Sequence, residues 1–297
     1  MQIGVLGRFT ASVGGGSILP RAMQPQQVLA LLALRANDPV PVTTICRELW
    51  GDTPPATAVT VVQNYVAALR KSIAGHLGGR DAAHDLLSTG RGGYSLRLGP
   101  DGLDSTRFER WAREGSRALA QKQAASAAEA LQQALAMWRG PVLCGVDAGP
   151  ALAAEVVRLD TLHLLAVEQH LDASLRLGRH YELLGELGAL VAHHPLAERL
   201  HQLYMVALHR TGRRAEALAV YECLRRNLDE QLGLTPSPSM QRARHAVVHA
   251  ADLRAEDAPE IEAVLIEQAP APELIRVLGA SGAAVPQPSV SLVRPRT

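Results

Sequence analysis

Residues 56–73 read "ATAVTVVQNYVAALRKSI", and the fold turns on this stretch. Val62, Tyr65, Val66, Leu69 and Ile73 fall at i, i+3, i+4, i+7 and i+11, the apolar stripe of a helix that lies on a core. Thr60, Gln63, Asn64, Ala67 and Lys71 then share the opposite stripe. A helix that only covers a core has no need of an amide pair in mid-run followed by Arg70 and Lys71. Gln and Asn side chains can pair bidentately with adenine N6 and N7, and Thr can touch a thymine methyl. Basic side chains at the end of the run can reach phosphates. Thr57, Thr60, Gln63, Asn64, Arg70 and Lys71 are therefore candidate contacts to double-stranded DNA. The competing reading is a polar face that is merely solvated.

The flanking sequence favours the first reading. "IGVLGRFTASVGGGSIL" (3–19) predicts two short strands joined by a glycine turn. The triple glycine lacks the Gly-Lys-Ser/Thr of a phosphate loop. "PQQVLALLALRAN" from Pro25 predicts a buried helix. "VTTICRELWG" predicts a second one, with Thr43 as N-cap and Gly51 as its stop. After "DTPP" comes the opening stretch. Residues 86–98, "LLSTGRGGYSLRL", predict strand, glycine turn and strand. Strands, three helices and a hairpin make a winged helix, whose third helix can enter a major groove. Arg91 at the wing tip is a candidate minor-groove contact. Tyr94 is a weaker candidate, since a tyrosine there can equally pack beneath the wing.

From about residue 104 to 250 the pattern is helical with a repeat. Gly178 and Gly212 are 34 apart, as are Glu182 and Glu216, Leu184 and Leu218, and Leu171 and Met205, the period of tetratricopeptide helix pairs. A weaker copy lies at 116–138, without the glycine. The expected fold is thus mainly α: a winged-helix α+β head at 1–98, a helical-repeat body at 104–250, and a Pro-containing extension at 255–297, read as poorly ordered.

Of 297 residues, 47% are hydrophobic, which excludes wholesale disorder. The net charge of +1 hides an asymmetry. Residues 1–98 hold nine Lys/Arg against five Asp/Glu, and the remainder 21 against 24, so an anionic partner is expected for the head alone. Cys46, Cys144 and Cys223 lack zinc-site spacing. His245 and His249 lie one turn apart but without a third ligand. Neither a serine elbow nor a paired-carboxylate pattern is present. The expectation is a cytoplasmic non-enzyme without a cofactor.

"ELWGDTPPATAVTVVQNYVAALRKSI", "GRGGYSLRL", "FERWAREG", "ALAMWRGPVL" and "ALHRTGRRAEALAVYECLRRNLDEQLGLTPSPSMQ" together resemble the Streptomyces antibiotic regulatory protein family. Its members join an OmpR-type winged helix to a bacterial transcriptional activation domain. The resemblance spans roughly residues 3–250. It implies an activator of a secondary-metabolite gene cluster. With a net charge of only +4 on the head, one copy neutralises few phosphates, so tight promoter binding is expected to take two copies side by side on direct repeats. The resemblance also implies contact with RNA polymerase, through its sigma subunit, by the turn carrying Trp50, Asp52, Pro54 and Pro55. The chain departs from the family where Val59 and Ala68 replace arginines and where "MQPQQ" lacks a cation. These losses leave open an alternative, a helical-repeat scaffold with weak DNA binding. The head alone, residues 1–98, is expected to retain specific but weaker binding.

Overall fold

The computed structural model describes residues 1–90 and 92–249; Arg91 and the expected C-terminal extension lie outside the described residues. The chain opens with a meander of β1 (Gln2–Gly4), β2 (Thr10–Val13) and β3 (Gly16–Ser17), antiparallel in that order. Gly14 and Gly15, at φ 57° and 84°, supply the two consecutive positive φ values of a tight hairpin turn. The meander has one strand more than the sequence pattern predicts.

Helices α1 (Met23–Leu34), α2 (Val42–Trp50) and α3 (Ala58–Leu77) follow, with β4 (Val40–Pro41) before α2. Thr43 does not cap α2. Pro41 pairs with Gly93 in the wing sheet, so a strand runs straight into the helix, and Val42 N–H donates to Gly92 O at 3.1 Å. Gly51, at φ 62°, ends α2 as expected. Gly78, at φ 75°, ends α3, and an unforeseen helix α4 (Arg80–Leu86) restarts at once. Seven residues are too few for a periodic signal to stand out. The wing is β5 (Leu87–Gly90) and β6 (Gly93–Leu96), in a sheet ordered β4-β6-β5.

Seven more helices complete the described residues: α5 (Asp104–Ala120), α6 (Ala124–Leu135), α7 (Pro150–Arg176), α8 (His180–His193), α9 (Glu198–Arg210), α10 (Arg214–Leu232) and α11 (Pro238–His249). The 34-residue repeat maps onto the pairs α7/α8 and α9/α10. Gly178 N–H donates to Leu175 O and Arg179 N–H to Ser174 O. Gly212 and Arg213 repeat this onto His209 O and Leu208 O. The weaker copy closes identically, Lys122 to Leu119 O and Gln123 to Ala118 O, with Lys122 forced to φ 60° where the other turns place glycine.

Two cores result. The first is continuous from Ile3 to Ala173 and joins the whole head to α5, α6 and most of α7. Phe108, Leu152 and Leu159 are as deeply buried in it as Leu29 or Ile45. The second, from Leu171 to Val247, belongs to α8–α11 and the end of α7. The break in packing therefore falls within α7, some 75 residues beyond the expected head boundary.

Polar groups reinforce the joint between head and body. Asp104, at the start of α5, accepts from Val5 and Leu6 N–H at 2.8 and 3.2 Å and from Arg139 at 2.5 Å. Glu48 of α2 accepts from Ala151 and Leu152 N–H at 2.7 and 3.3 Å, serving as the anionic cap of α7. The loop 139–144 bonds along residues 5–9, the segment between β1 and β2, with Leu143 N–H donating to Val5 O at 2.8 Å.

Candidate nucleic-acid interface

The two stripes of α3 separate as the sequence predicts. Val62, Val66, Leu69 and Ile73 are at most 2% exposed, while Thr57, Thr60, Gln63, Asn64, Ala67 and Lys71 all face solvent. Tyr65 lies between, half-buried, its hydroxyl donating to Gln24 Oε1 of α1 at 2.6 Å. The stripe of Thr60, Gln63, Asn64, Ala67 and Lys71 thus carries only polar or small side chains, with Val59 also exposed one turn before Gln63, on a helix whose other side is fixed by packing. That arrangement presents Gln63 and Asn64 to a groove without disturbing the core.

The wing is pinned to this helix. Arg70 donates through Nε to Leu87 O and through Nη2 to Thr89 Oγ1, both at 2.8 Å. Its guanidinium sits 5.9 Å from the Tyr94 ring centre, a cation–π distance. Burial lowers its pKa and the neighbouring Tyr94 opposes the shift; an arginine remains charged throughout. Arg70 therefore sets the angle between α3 and β5 and has little freedom to reach a phosphate. Tyr94 is 7% exposed and lies opposite Val40 and Thr89 in the sheet. As a direct DNA contact it is corrected: its ring packs beneath the wing. Arg91, the candidate at the wing tip, lies outside the described residues. Gly93 lets β6 approach β4 closely, since a side chain there would collide with the Val40 carbonyl. Asn37, at φ 71°, exchanges two side-chain hydrogen bonds of 3.1 Å with Leu98 and closes the base of the wing.

The turn between α2 and α3 is exposed at Asp52, Pro54 and Pro55, whereas Trp50 is half-buried against the first core. Thr57 is the N-cap of α3 and makes no side-chain capping bond. Asp52 does not cap the helix and pairs with no cation among the described residues. Beside the turn, Val42, Cys46, Arg47, Pro55, Ala58 and Val59 line an open groove of about 510 Å³. Burial pushes the Cys46 thiol upward in pKa, which keeps it a neutral, apolar wall. Sequence reasoning missed Glu48 and Asp104, the residues that fix the head on the body. A carboxylate amid the apolar residues of "TICRELW" was the available signal for Glu48.

Among the described residues no group of three His, Cys, Asp or Glu could hold a metal ion, and no helix is long and apolar enough to cross a membrane.

Residues 103–248 match the bacterial transcriptional activator domain. Over 265 residues the chain is 42% identical to the regulatory protein DnrI of Streptomyces peucetius, covering 89% of this chain and 97% of DnrI. It is 33% identical to the transcriptional regulator RedD of Streptomyces coelicolor, covering 85% of this chain and 71% of RedD. The regulatory protein AfsR of that organism is 36% identical, and the match spans 84% of this chain but 24% of AfsR. Among solved structures, Mycobacterium tuberculosis EmbR in complex with a low-affinity phosphopeptide superposes with a TM-score of 0.80 at 27% identity, covering 88% of this chain and 68% of EmbR. A winged helix with an exposed polar stripe, joined to helical repeats and matched nearly end to end by DnrI, places the chain in the Streptomyces antibiotic regulatory protein family of transcriptional activators.

Proposed function

We propose that this activator, whose targets belong to a secondary-metabolite gene cluster, reads promoter direct repeats with the outward stripe of α3. Thr60, Gln63 and Asn64 address base edges, Thr57 and Lys71 hold phosphates, and the wing, with Arg91 at its tip, lies in the neighbouring minor groove. Two copies sit side by side, and the turn of Asp52, Pro54 and Pro55 faces the sigma subunit of RNA polymerase. The observation that carries this reading is the strict division of α3: an apolar stripe sealed in the core, and an amide-bearing stripe left wholly to solvent. Arg70 acts as the strut between reading helix and wing.

Bidentate amide–adenine pairs are each worth about 1–3 kcal/mol of discrimination. Gln63→Ala and Asn64→Ala should therefore relax base preference in a footprint on the DNA flanking the coding region, with thermal stability unchanged. The head carries few cations, so the slope of log K against log salt should be about −3 to −4 per copy, flattened by Lys71→Ala. Unchanged base preference in both amide variants would move the reading elsewhere. An intact fold without any sequence preference would favour the scaffold alternative, toward which the exposed Val59, 51% accessible where relatives of the family carry arginine, leans. For the turn, Asp52→Ala should leave promoter binding near normal and reduce transcript made by purified polymerase.

A further inference from the structure

The charge asymmetry has a sharper form than head against remainder. Residues 99–250 hold 17 Lys/Arg and 17 Asp/Glu, so the body is neutral. The whole acidic excess lies in residues 251–297, and within 252–273 there are seven carboxylates against one arginine, Arg254. Part of the body's arginines pair internally, for example Arg158 with Glu109 and Glu155, and Arg176 and Arg199 with Asp172. In the head Arg35 pairs with Glu155, but Arg8, Arg21, Arg47, Lys71, Arg80 and Arg97 have no carboxylate partner among the described residues. Net positive and net negative charge thus occupy opposite ends of one chain.

We propose that the acidic segment 252–273 is an intramolecular competitor of DNA. It docks on the cationic side of the head, along the outward stripe of α3 at Lys71 and in the groove between α2 and α3 at Arg47. The segment interleaves carboxylates with Ile261, Val264, Leu265 and Ile266, matching a groove whose walls are Val42, Cys46, Pro55 and Val59 and whose cation is Arg47. Asp52, also in that groove, opposes docking at one end and directs the acidic residues toward Arg47 and α3. The tether is the chain between His249 and the carboxylates themselves, 3 residues to Asp252 and 24 to Glu273, which span about 10 Å and about 80 Å when extended, so the distal half of the segment makes the contact. Tethering by such a chain gives an effective concentration of about 1 mM. A segment that binds at about 100 μM as a free peptide then lowers DNA affinity about tenfold. The effect is electrostatic and fades as salt rises. This inference rests on the reading of α3 as the DNA-binding face, and its test separates the two.

A labelled synthetic peptide of residues 251–276 is titrated, without DNA, with a chain ending at Ala250, which keeps nearly every described element. In parallel, promoter DNA is titrated with that chain and with the full chain at 50 and 300 mM salt. The expected result is peptide binding at 50 mM salt that is lost at 300 mM. It should be weakened severalfold by Arg47→Ala and by Lys71→Ala, and abolished when the peptide's Asp and Glu become Asn and Gln. The shortened chain should bind the promoter about tenfold more tightly than the full chain at 50 mM and about equally at 300 mM. Absence of peptide binding, or binding indifferent to Arg47 and Lys71, overturns the docking. Equal DNA affinity of the two chains at 50 mM overturns the competition. If the peptide docks as expected but neither chain prefers promoter DNA, the reading role of α3 fails while the intramolecular contact stands.

Discussion

The two cores of this molecule differ in how they are closed. The first is built across long sequence separations: residues 5–9, which follow β1, rest on the start of α5 and on loop 139–144, and α2 caps α7. The second is built from neighbours, each helix of α8–α11 packing on the next through a glycine turn or a short loop. The first joins α3, the wing, α5, α6 and most of α7 in one core. The second hangs from the end of α7 and shares no buried residue with α3. On the function proposed above, both DNA reading and the Asp52 turn belong to the piece fixed by long-range contacts.

The most severe test cuts the chain. A fragment of residues 1–98 loses Phe108, Leu152 and Leu159 from its core, and we expect aggregation or a broad, non-cooperative melt. A fragment of residues 1–179 should still unfold cooperatively. This revises the expectation that the head alone suffices for weak specific binding. A sharp thermal transition in 1–98, followed by calorimetry, would show the head to be self-sufficient after all.

Next comes the α7 cap. Glu48→Ala strips one buried and one part-buried N–H group of their acceptor, at a cost of about 2 kcal/mol. Glu48→Gln, which keeps an acceptor but removes the charge, should cost roughly half as much. Urea titration measures both. Equal stability of all three proteins would mean that apolar packing alone holds head to body.

Acid should act mainly on the body. Burial lowers the pKa of His163, His170, His180, His201 and His209. Each is neutral in the fold, so its contribution is present above the ordinary histidine value and lost as pH falls below about 6.5. Glu168 works in the opposite sense. Burial raises it to about 7, against the pull of Arg199, so its contribution is full below the ordinary carboxylate range and lost as pH rises through 7. Five histidines against one carboxyl predict a falling melting temperature from pH 6.5 to 5, and Glu168→Gln should steepen the fall. A flat profile across that range would remove the distinction between a robust head and an acid-sensitive body.

The smallest effect compares one turn in two places. Lys122→Gly should stabilise by about 0.5–1 kcal/mol, by relieving a left-handed lysine. Gly212→Ala, at φ 78°, should destabilise by about 1 kcal/mol. Opposite signs in paired melts confirm that the turns are equivalent.

Much of this was legible because it is local. The stripes of α3 repeat every turn, and the 34-residue spacing of Gly178 and Gly212 needs only comparison of the chain with itself. The Lys122 turn was legible only faintly, because the helix pair is present but its glycine is not. Glu48 and Asp104 were not legible as joints: their partners lie about 100 residues away, and no periodicity reports such a distance. Arg70 read as a phosphate contact because composition shows a cation near a helix end; only geometry shows it spent on Leu87 and Thr89.

Helix α7, 27 residues and about 40 Å long, begins under Glu48 and ends in the second core. For anyone assembling chimeric regulators, this helix decides where parts can be exchanged. A splice at residue 98 would graft a foreign surface onto β1, α1 and α2 and leave the α7 start without its carboxylate. A splice in the turn at Leu177–Arg179 leaves the first core whole and cuts the second, where Leu171, Leu175 and the Asp172–Arg199 ion pair join α7 to the later repeats. Transplanting a DNA specificity therefore means moving residues 1–176 as one cassette, with the distal repeats as the interchangeable part.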